Sequence, residues 1–163
     1  MVDGLILLRI DGVVTCPLTL TYDELAALPE ADQIPDVSRF HLTRRGDGVA
    51  LAALLRLAGP SPGANYVTLH AGRDDFHVSV PLPPLRAEGI VVYRVGEGPL
   101  GVKEGGPIRL LIRDPTACKT GELDDCANVK YLDRIEVTIV RGRDTRPEDE
   151  AAHAELHRRQ AGA

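Results

Sequence analysis

The fold of this chain turns on residues 49–80, VALAALLRLAGPSPGANYVTLHAGRDDFHVSV. Leu51, Leu54, Leu55 and Ala58 fall at i, i+3, i+4 and i+7, so the spacing predicts a helix over Val49–Ala58 with one apolar face turned to the core. Gly59-Pro60 stops it, because glycine accepts the left-handed conformation after a helix and proline cannot continue one. After a polar loop, YVTLH reads as a strand, and FHVSV alternates with period two as another. The AGRDD between them is a hairpin-like turn.

Working outward, Leu5 to Ile10 is a continuous apolar run ended by Asp11-Gly12, the pattern of a buried strand entering a turn. In LTLTYDELAALP, Thr21 and Glu24 stand at capping-box spacing, Leu25 and Leu28 give a short helix its apolar face, and Pro29 ends it. Downstream, PLPPLRAEG reads as a proline-rich link, IVVYRV and IRLLIR as strands around a glycine-rich loop, and RIEVTIVR as a last alternating strand. Helices and strands mix without βαβ alternation, which disfavours the doubly wound parallel folds. The expectation is an α+β domain of mixed β-sheets with flanking short helices, residues 1–141, followed by a charged C-terminal tail, residues 142–163.

Composition narrows the function. A chain of 163 residues is one ordinary domain, able to bury roughly 70% of its unfolded surface without a disulfide or structural metal. Aromatics are only 4% and tryptophan is absent, so the core is aliphatic. A net charge of -5 gives no whole-molecule basic field, and nucleic acid and anionic membrane are excluded as expected partners. The first residues lack a basic segment and a cleavage site, and no apolar run reaches the roughly 18 residues of a membrane span. Three cysteines without CxxC spacing make no disulfide framework, and the expected compartment is the cytoplasm.

The polar stretch DVSRFHLTRRGDG, residues 36–48, leads into the helix and carries three arginines and a histidine. Guanidinium forks bind phosphate or carboxylate bidentately, so Arg39, His41, Arg44 and Arg45 are candidates for an anion pocket; the alternative is a solvated loop whose charges meet nearby acids. Other constellations read as structural. Cys118 and Cys126 beside Asp124 and Asp125 lack zinc-knuckle spacing, and Cys16 packs at the edge of the core. His70 and His77 flank the hairpin turn and could meet across it, but read as polar positions near a pocket rim or the surface. HAELH, with His153 and His157, is not HExxH, and GEGPLGVKEGGP lacks the phosphate-loop pattern. No serine has a nucleophile-elbow context.

Five pieces occur in a telling order: LTLTYDELAALP, GVALAALLRLAGPSPGANYVTLHAG, a Pro-Leu pair after a strand, GGPIRLLI and NVKYLDRIEV. From about Leu18 to Val140 the chain resembles the sulfite oxidase-like molybdopterin-binding oxidoreductase domain family. The resemblance implies mixed sheets with flanking helices around a pocket for a molybdenum pterin cofactor. It also implies oxygen-atom transfer or reduction at the metal, on substrates such as sulfite or sulfoxides. Backbone amides and basic side chains would hold the pterin and its phosphate, and a cysteine just before the Gly-Val that opens the helix would ligate molybdenum.

The sequence departs from that pattern where the metal would be held. DVSRFHLTRRGDGVAL contains no cysteine, and neither Ser38 nor His41 equals a soft thiolate as donor to a high-valent metal. DPTACKTGELDDCANVKY replaces the family's shorter segment, and Lys130 is the residue carried over to the phosphate side. The expected function is therefore a molybdopterin-binding, oxidoreductase-like domain with a degenerate site. In it, Arg39, His41, Arg44, Arg45 and Lys130 bind the pterin or another phosphate-bearing anion. The alternatives are an active molybdenum oxidoreductase with an atypical ligand, tested by metal content, and a cofactor-free protein-interaction module.

Overall fold

The computed structural model describes residues 5–113 and 128–145, organised in two sheets. The first has five strands in the order β2, β1, β10, β5, β6, namely Leu18–Thr21, Ile6–Gly12, Arg134–Thr138, Tyr66–Ala71 and Phe76–Pro81. Only β1 and β10 are parallel; the other pairs are antiparallel, including β5 on β6 with His70 opposite His77. The second sheet is built on β7 (Gly89–Val95), with β4 (Asp47–Ala50) and then β3 (Gln33–Ile34) beside it, and with β8 (Gly98–Pro99) and β9 (Arg109–Ile112) also paired to β7. This is the mixed α+β architecture expected from the sequence, with three short helices, α1 (Tyr22–Ala26), α2 (Leu51–Ala58) and α3 (Leu82–Glu88).

Side-chain alternation gives each sheet its faces. Leu8 and Ile10 of β1, Val67 and Leu69 of β5, Val78 and Val80 of β6, and Ile135 and Val137 of β10 all enter the main core. The opposite face of that sheet carries Asp11, Thr68, His70, His77, Ser79, Arg134 and Glu136. In β7, Val91 and Tyr93 point into the main core, whereas Ile90 and Val92 join a second apolar cluster with Ile34, Val37, Leu100 and Leu111. Both faces of β7 are thus covered, which is why IVVY, ahead of Arg94, reads as an unbroken apolar run.

Helix α1 has its capping box, with Glu24 N–H donating to Thr21 Oγ1 at 3.2 Å and Thr21 N–H to Glu24 Oε1 at 3.2 Å. Leu51, Leu54, Leu55 and Ala58 of α2 are fully buried, and Gly59 closes the helix at φ 67°. Three sequence expectations need correction. The helix does not begin at Val49: Val49 and Ala50 pair with Val91 and Ile90 in β4, and Val49 is a core residue either way. The supposed link PLPPLRAEG contains α3, because its prolines occupy the first turn, where no intrahelical N–H is needed. Cys16 is exposed rather than packed; its backbone N–H donates to Ala58 O at 2.8 Å at the end of α2. Cys118 and Cys126 lie outside the described residues, as do His153 and His157. Among the described residues no helix is long and apolar enough to cross a membrane.

Candidate functional site

The loop between β3 and β4 folds over the second apolar cluster and is tied at its base. Val37 N–H donates to Gly46 O at 2.9 Å, and Asp36 N–H donates to Asp47 Oδ1 at 2.8 Å. Asp47 in turn pairs with Arg94 at 3.1 Å, joining the loop to β7. Val37 is fully buried beneath it, so a chain that is polar in sequence is anchored by one apolar residue.

The sequence-selected residues divide into two groups. Arg39 turns back on its own loop: its Nη2 donates to Pro35 O at 2.7 Å and its Nε to Pro35 O and Asp36 O, each at 3.1 Å. Its guanidinium lies 5.0 Å from the centre of the Phe40 ring, and Arg113 lies 5.3 Å from the same ring. His41 Nε2 bonds the carbonyl of Ile112 at the end of β9, a contact that requires the proton on Nε2. Both side chains hold the loop in place. Arg44 extends from the exposed part of the loop to where its charge acts on Arg109 and Lys130, and Arg45 is exposed beside it.

Arg109 was not selected from the sequence, yet it is the most unusual group here. It sits on β9 opposite Val92, only 5% exposed. Its Nη1 donates to Glu104 O at 3.2 Å, while Nε is buried with no hydrogen-bond partner. Burial, reinforced by the nearby Arg44 charge, pushes its pKa down to about 10. Lys130 is also lowered, first by burial, with Arg109 and Arg44 adding to the shift and Asp74 opposing it. Gly105 brings the two cations together: a Cβ there would lie 3.1 Å from both Arg109 Nη1 and Lys130 Cγ, and its φ of 88° suits glycine. Tyr131 completes the wall, with Arg73 at 4.6 Å and Lys130 Nζ at 5.6 Å from its ring centre. Tyr131 N–H donates to Gly105 O at 2.7 Å, which fixes the segment after residue 128 against the glycine-rich loop.

Three cations of like charge, one of them almost wholly buried with a spare donor, make an arrangement that repels itself when empty. An oxyanion would neutralise the repulsion and accept the orphaned N–H. The signal for Arg109 was available in GGPIRLLI, where a charged residue interrupts an apolar strand. As a metal site the arrangement is poorer: the loop of residues 36–48 has no cysteine, and Cys16 is at the C-terminal end of α2, whereas the loop enters by β4 ahead of that helix's first residue. Among the described residues, no group of three or more His, Cys, Asp or Glu side chains is placed to hold a metal ion.

Comparison with known proteins adds a family and a fold. A model of the oxidoreductase molybdopterin binding domain matches residues 42–143. Among solved structures, the sulfane dehydrogenase SoxCD from Paracoccus pantotrophus is similar, with a TM-score of 0.59 at 20% identity over 82% of this chain. The similarity spans 38% of the SoxCD chain, so it concerns the fold of one part of that protein. No curated protein sequence matches.

Proposed function

Because the chain belongs to the oxidoreductase molybdopterin binding domain family, we propose that it binds the phosphate-bearing pterin of that cofactor through Arg44, Arg109 and Lys130, and that it lacks the family's usual redox step. The observation that carries the reading is the buried, unpartnered Nε of Arg109 between two further cations. A phosphate oxygen placed there accepts from Arg109, while Lys130 and Arg44 balance its charge from the rim. Gly105 keeps the approach open, since any side chain would crowd both cations. His41 and Arg39 act indirectly, by fixing the loop that presents Arg44.

When bound in a family member, the molybdenum centre supplies two-electron oxygen-atom chemistry. The residues here fit the anionic end of the cofactor and do not fit the metal end, since no thiolate stands in the loop before the Gly48-Val49 pair. No redox step is therefore assigned to this chain.

The test is to express the protein in a host that makes the cofactor, then measure molybdenum by elemental analysis and pterin by fluorescence after oxidative release. Pterin without stoichiometric molybdenum is the expected result. Metal and pterin both near one per chain overturn the loss of the redox centre and direct the search to an unusual ligand. Absence of both overturns cofactor binding, and the family relationship then describes the fold alone.

A further inference from the structure

Away from this site, the polar face of the first sheet carries a continuous chain of ionisable groups. His70 and His77 are directly opposite on β5 and β6, and their Nδ1 atoms are 2.7 Å apart. His70 Nε2 faces Glu136 Oε1 at 3.0 Å, and His77 Nε2 faces Asp75 Oδ1 at 2.8 Å. Both imidazoles are nearly buried, at 13% and 10% exposure. Arg134 spans Glu136 at 3.5 Å and Asp11 at 2.9 Å on one side, and Arg143 meets Asp75 at 3.4 Å on the other.

Counting protons decides what lies between the rings. Each carboxylate accepts from the Nε2 it faces, so both Nε2 atoms carry protons; the Asp75 carboxyl is held below its ordinary range by the His77 hydrogen bond and by Arg143. Both Nδ1 lone pairs then point at one another, and only a bound cation lets them approach to 2.7 Å. The ring centres are 4.9 Å apart at an interplanar angle of 70°, close to a head-on meeting of the two nitrogens. A metal with bonds of about 2.0–2.1 Å to each nitrogen would hold them farther apart or bend the approach. A shared proton fits both distances.

The pair also lies under a strap formed by residues 141–145. Thr145 N–H donates to His77 O at 2.7 Å, and His77 N–H to Thr145 Oγ1 at 2.9 Å. Ser79 N–H donates to Asp144 Oδ2 at 3.1 Å, and Gly142 N–H to Ser79 Oγ at 2.8 Å. Gly142 passes so close to the sheet that a Cβ would stand 2.3 Å from Thr68 Oγ1. Asp75, the carboxylate of His77, is shared with Arg143 of the strap.

We propose that His70 and His77 form a shared-proton imidazole and imidazolium pair that latches the strap of residues 141–145 onto the first sheet. Withdrawing the shared proton leaves two facing lone pairs. One ring must then turn, breaking the bond of His70 to Glu136 or that of His77 to Asp75; when His77 turns, the Asp75 carboxylate it shares with Arg143 of the strap is loosened. The latched state binds the extra proton, so linkage favours it at lower pH and favours release as pH rises; protonation of Asp75, whose carboxyl is held below its ordinary range, opposes the latch only in acid. Among the described residues, Glu136, Asp75, Arg134, Asp11, Arg141, Arg143 and Asp144 are charged groups facing the pair or its strap.

The experiment uses the full chain. Imidazole nitrogen NMR of the wild-type protein is expected to show protonated Nε2 on both histidines and one proton shared between the Nδ1 atoms. Hydrogen exchange at the Thr145 amide, corrected for the intrinsic rate, is expected to show protection falling with rising pH by at most about tenfold per pH unit, the limit for one linked proton. His70→Gln should flatten that dependence while Leu69 and Val78, in the same strands, stay protected. Two neutral imidazoles in the wild-type spectrum, a variant with the same pH profile, or stoichiometric zinc uptake that displaces the shared proton would each overturn the proposal. The spectrum decides it even if the variant fails to fold.

Discussion

Arg109→Met distinguishes a guanidinium that stabilises the fold from one reserved for an anion. The lowering from the ordinary guanidinium range to about 10 means that burying the charged form costs roughly 3 kcal/mol, at 1.36 kcal/mol per pKa unit. The folded pKa is depressed for a base, so this cost is fully present below about 10, including at neutral pH, and is relieved only as the pH rises past it. Against it stands the bond to Glu104 O, worth about 1 kcal/mol. Methionine has a similar reach and no charge, so the unliganded variant should be more stable than the wild type by about 2 kcal/mol, or roughly 4–8 °C in Tm for a chain of this size. Chemical denaturation of both proteins, with and without sulfate, is the assay. Sulfate is a tetrahedral dianion, and its general effect on folded proteins is common to both and cancels in the difference. The specific part should stabilise only the wild type, by about 2.7 kcal/mol when sulfate reaches 100 times its Kd. A variant that loses more than about 1 kcal/mol when empty, or that keeps the wild-type sulfate increment, refutes the assignment of Arg109 to an anion.

Sulfate affinity should fall as the pH rises toward about 10, because Arg109 loses its proton there and Lys130 is held below its ordinary range by burial; in a titration followed by calorimetry, Lys130→Met should weaken that dependence and leave the part that belongs to Arg109. Gly105→Ala, at φ 88° and 3.1 Å from both cations, should cost about 1 kcal/mol of stability from backbone strain and weaken sulfate binding more than that cost accounts for. Leu54→Ala, in the fully buried face of α2, should destabilise by about 2–5 kcal/mol in guanidinium chloride and leave sulfate affinity per folded molecule unchanged.

Local signals carried the fold where periodicity and caps agreed. Thr21 with Glu24, and Leu51 with Leu54, Leu55 and Ala58, each satisfy a local rule and a tertiary one, so the sequence suffices. Val49 and Ala50 escaped because an apolar pair ahead of a helix fits either periodicity; pairing with Ile90 and Val91 decides for the strand, and that partner is some 40 residues away in the chain. Proline at the start of α3 misled in the other direction, since the same residue that breaks helix interiors is favoured in the first turn. The site was legible in charge but not in geometry. Arg39 and His41 looked equivalent to Arg44 in the loop, and only the fold shows that two of them bond backbone carbonyls. His70 and His77 read as positions near a pocket rim or the surface because their partners, Glu136 and the strap residues that bond the His77 backbone, lie far along the chain.

Under the proposed function, the way the loop is held bears on how an anion-binding half of the pocket could persist without a metal-binding half. Arg44, Arg109 and Lys130 converge from three segments, but two of the three positions are fixed by the sheet and by the Gly105 turn: Arg109 by β9 and Lys130 by the Tyr131 bond to Gly105. Their geometry does not depend on what the loop offers. The loop, by contrast, spends its polar groups on itself and on β9, with Asp36 on Asp47 and Ser38, Arg39 on the Pro35 and Asp36 carbonyls, and His41 on the Ile112 carbonyl of β9. A loop that had to place a thiolate against a metal would need one side chain held toward the pocket rather than toward its own backbone. Replacing that requirement with internal hydrogen bonds leaves the second apolar cluster covered and the cations in place. In folding, the bond to Glu104 O offsets only part of the buried cost at Arg109, and under the proposed function a bound anion would offset the rest.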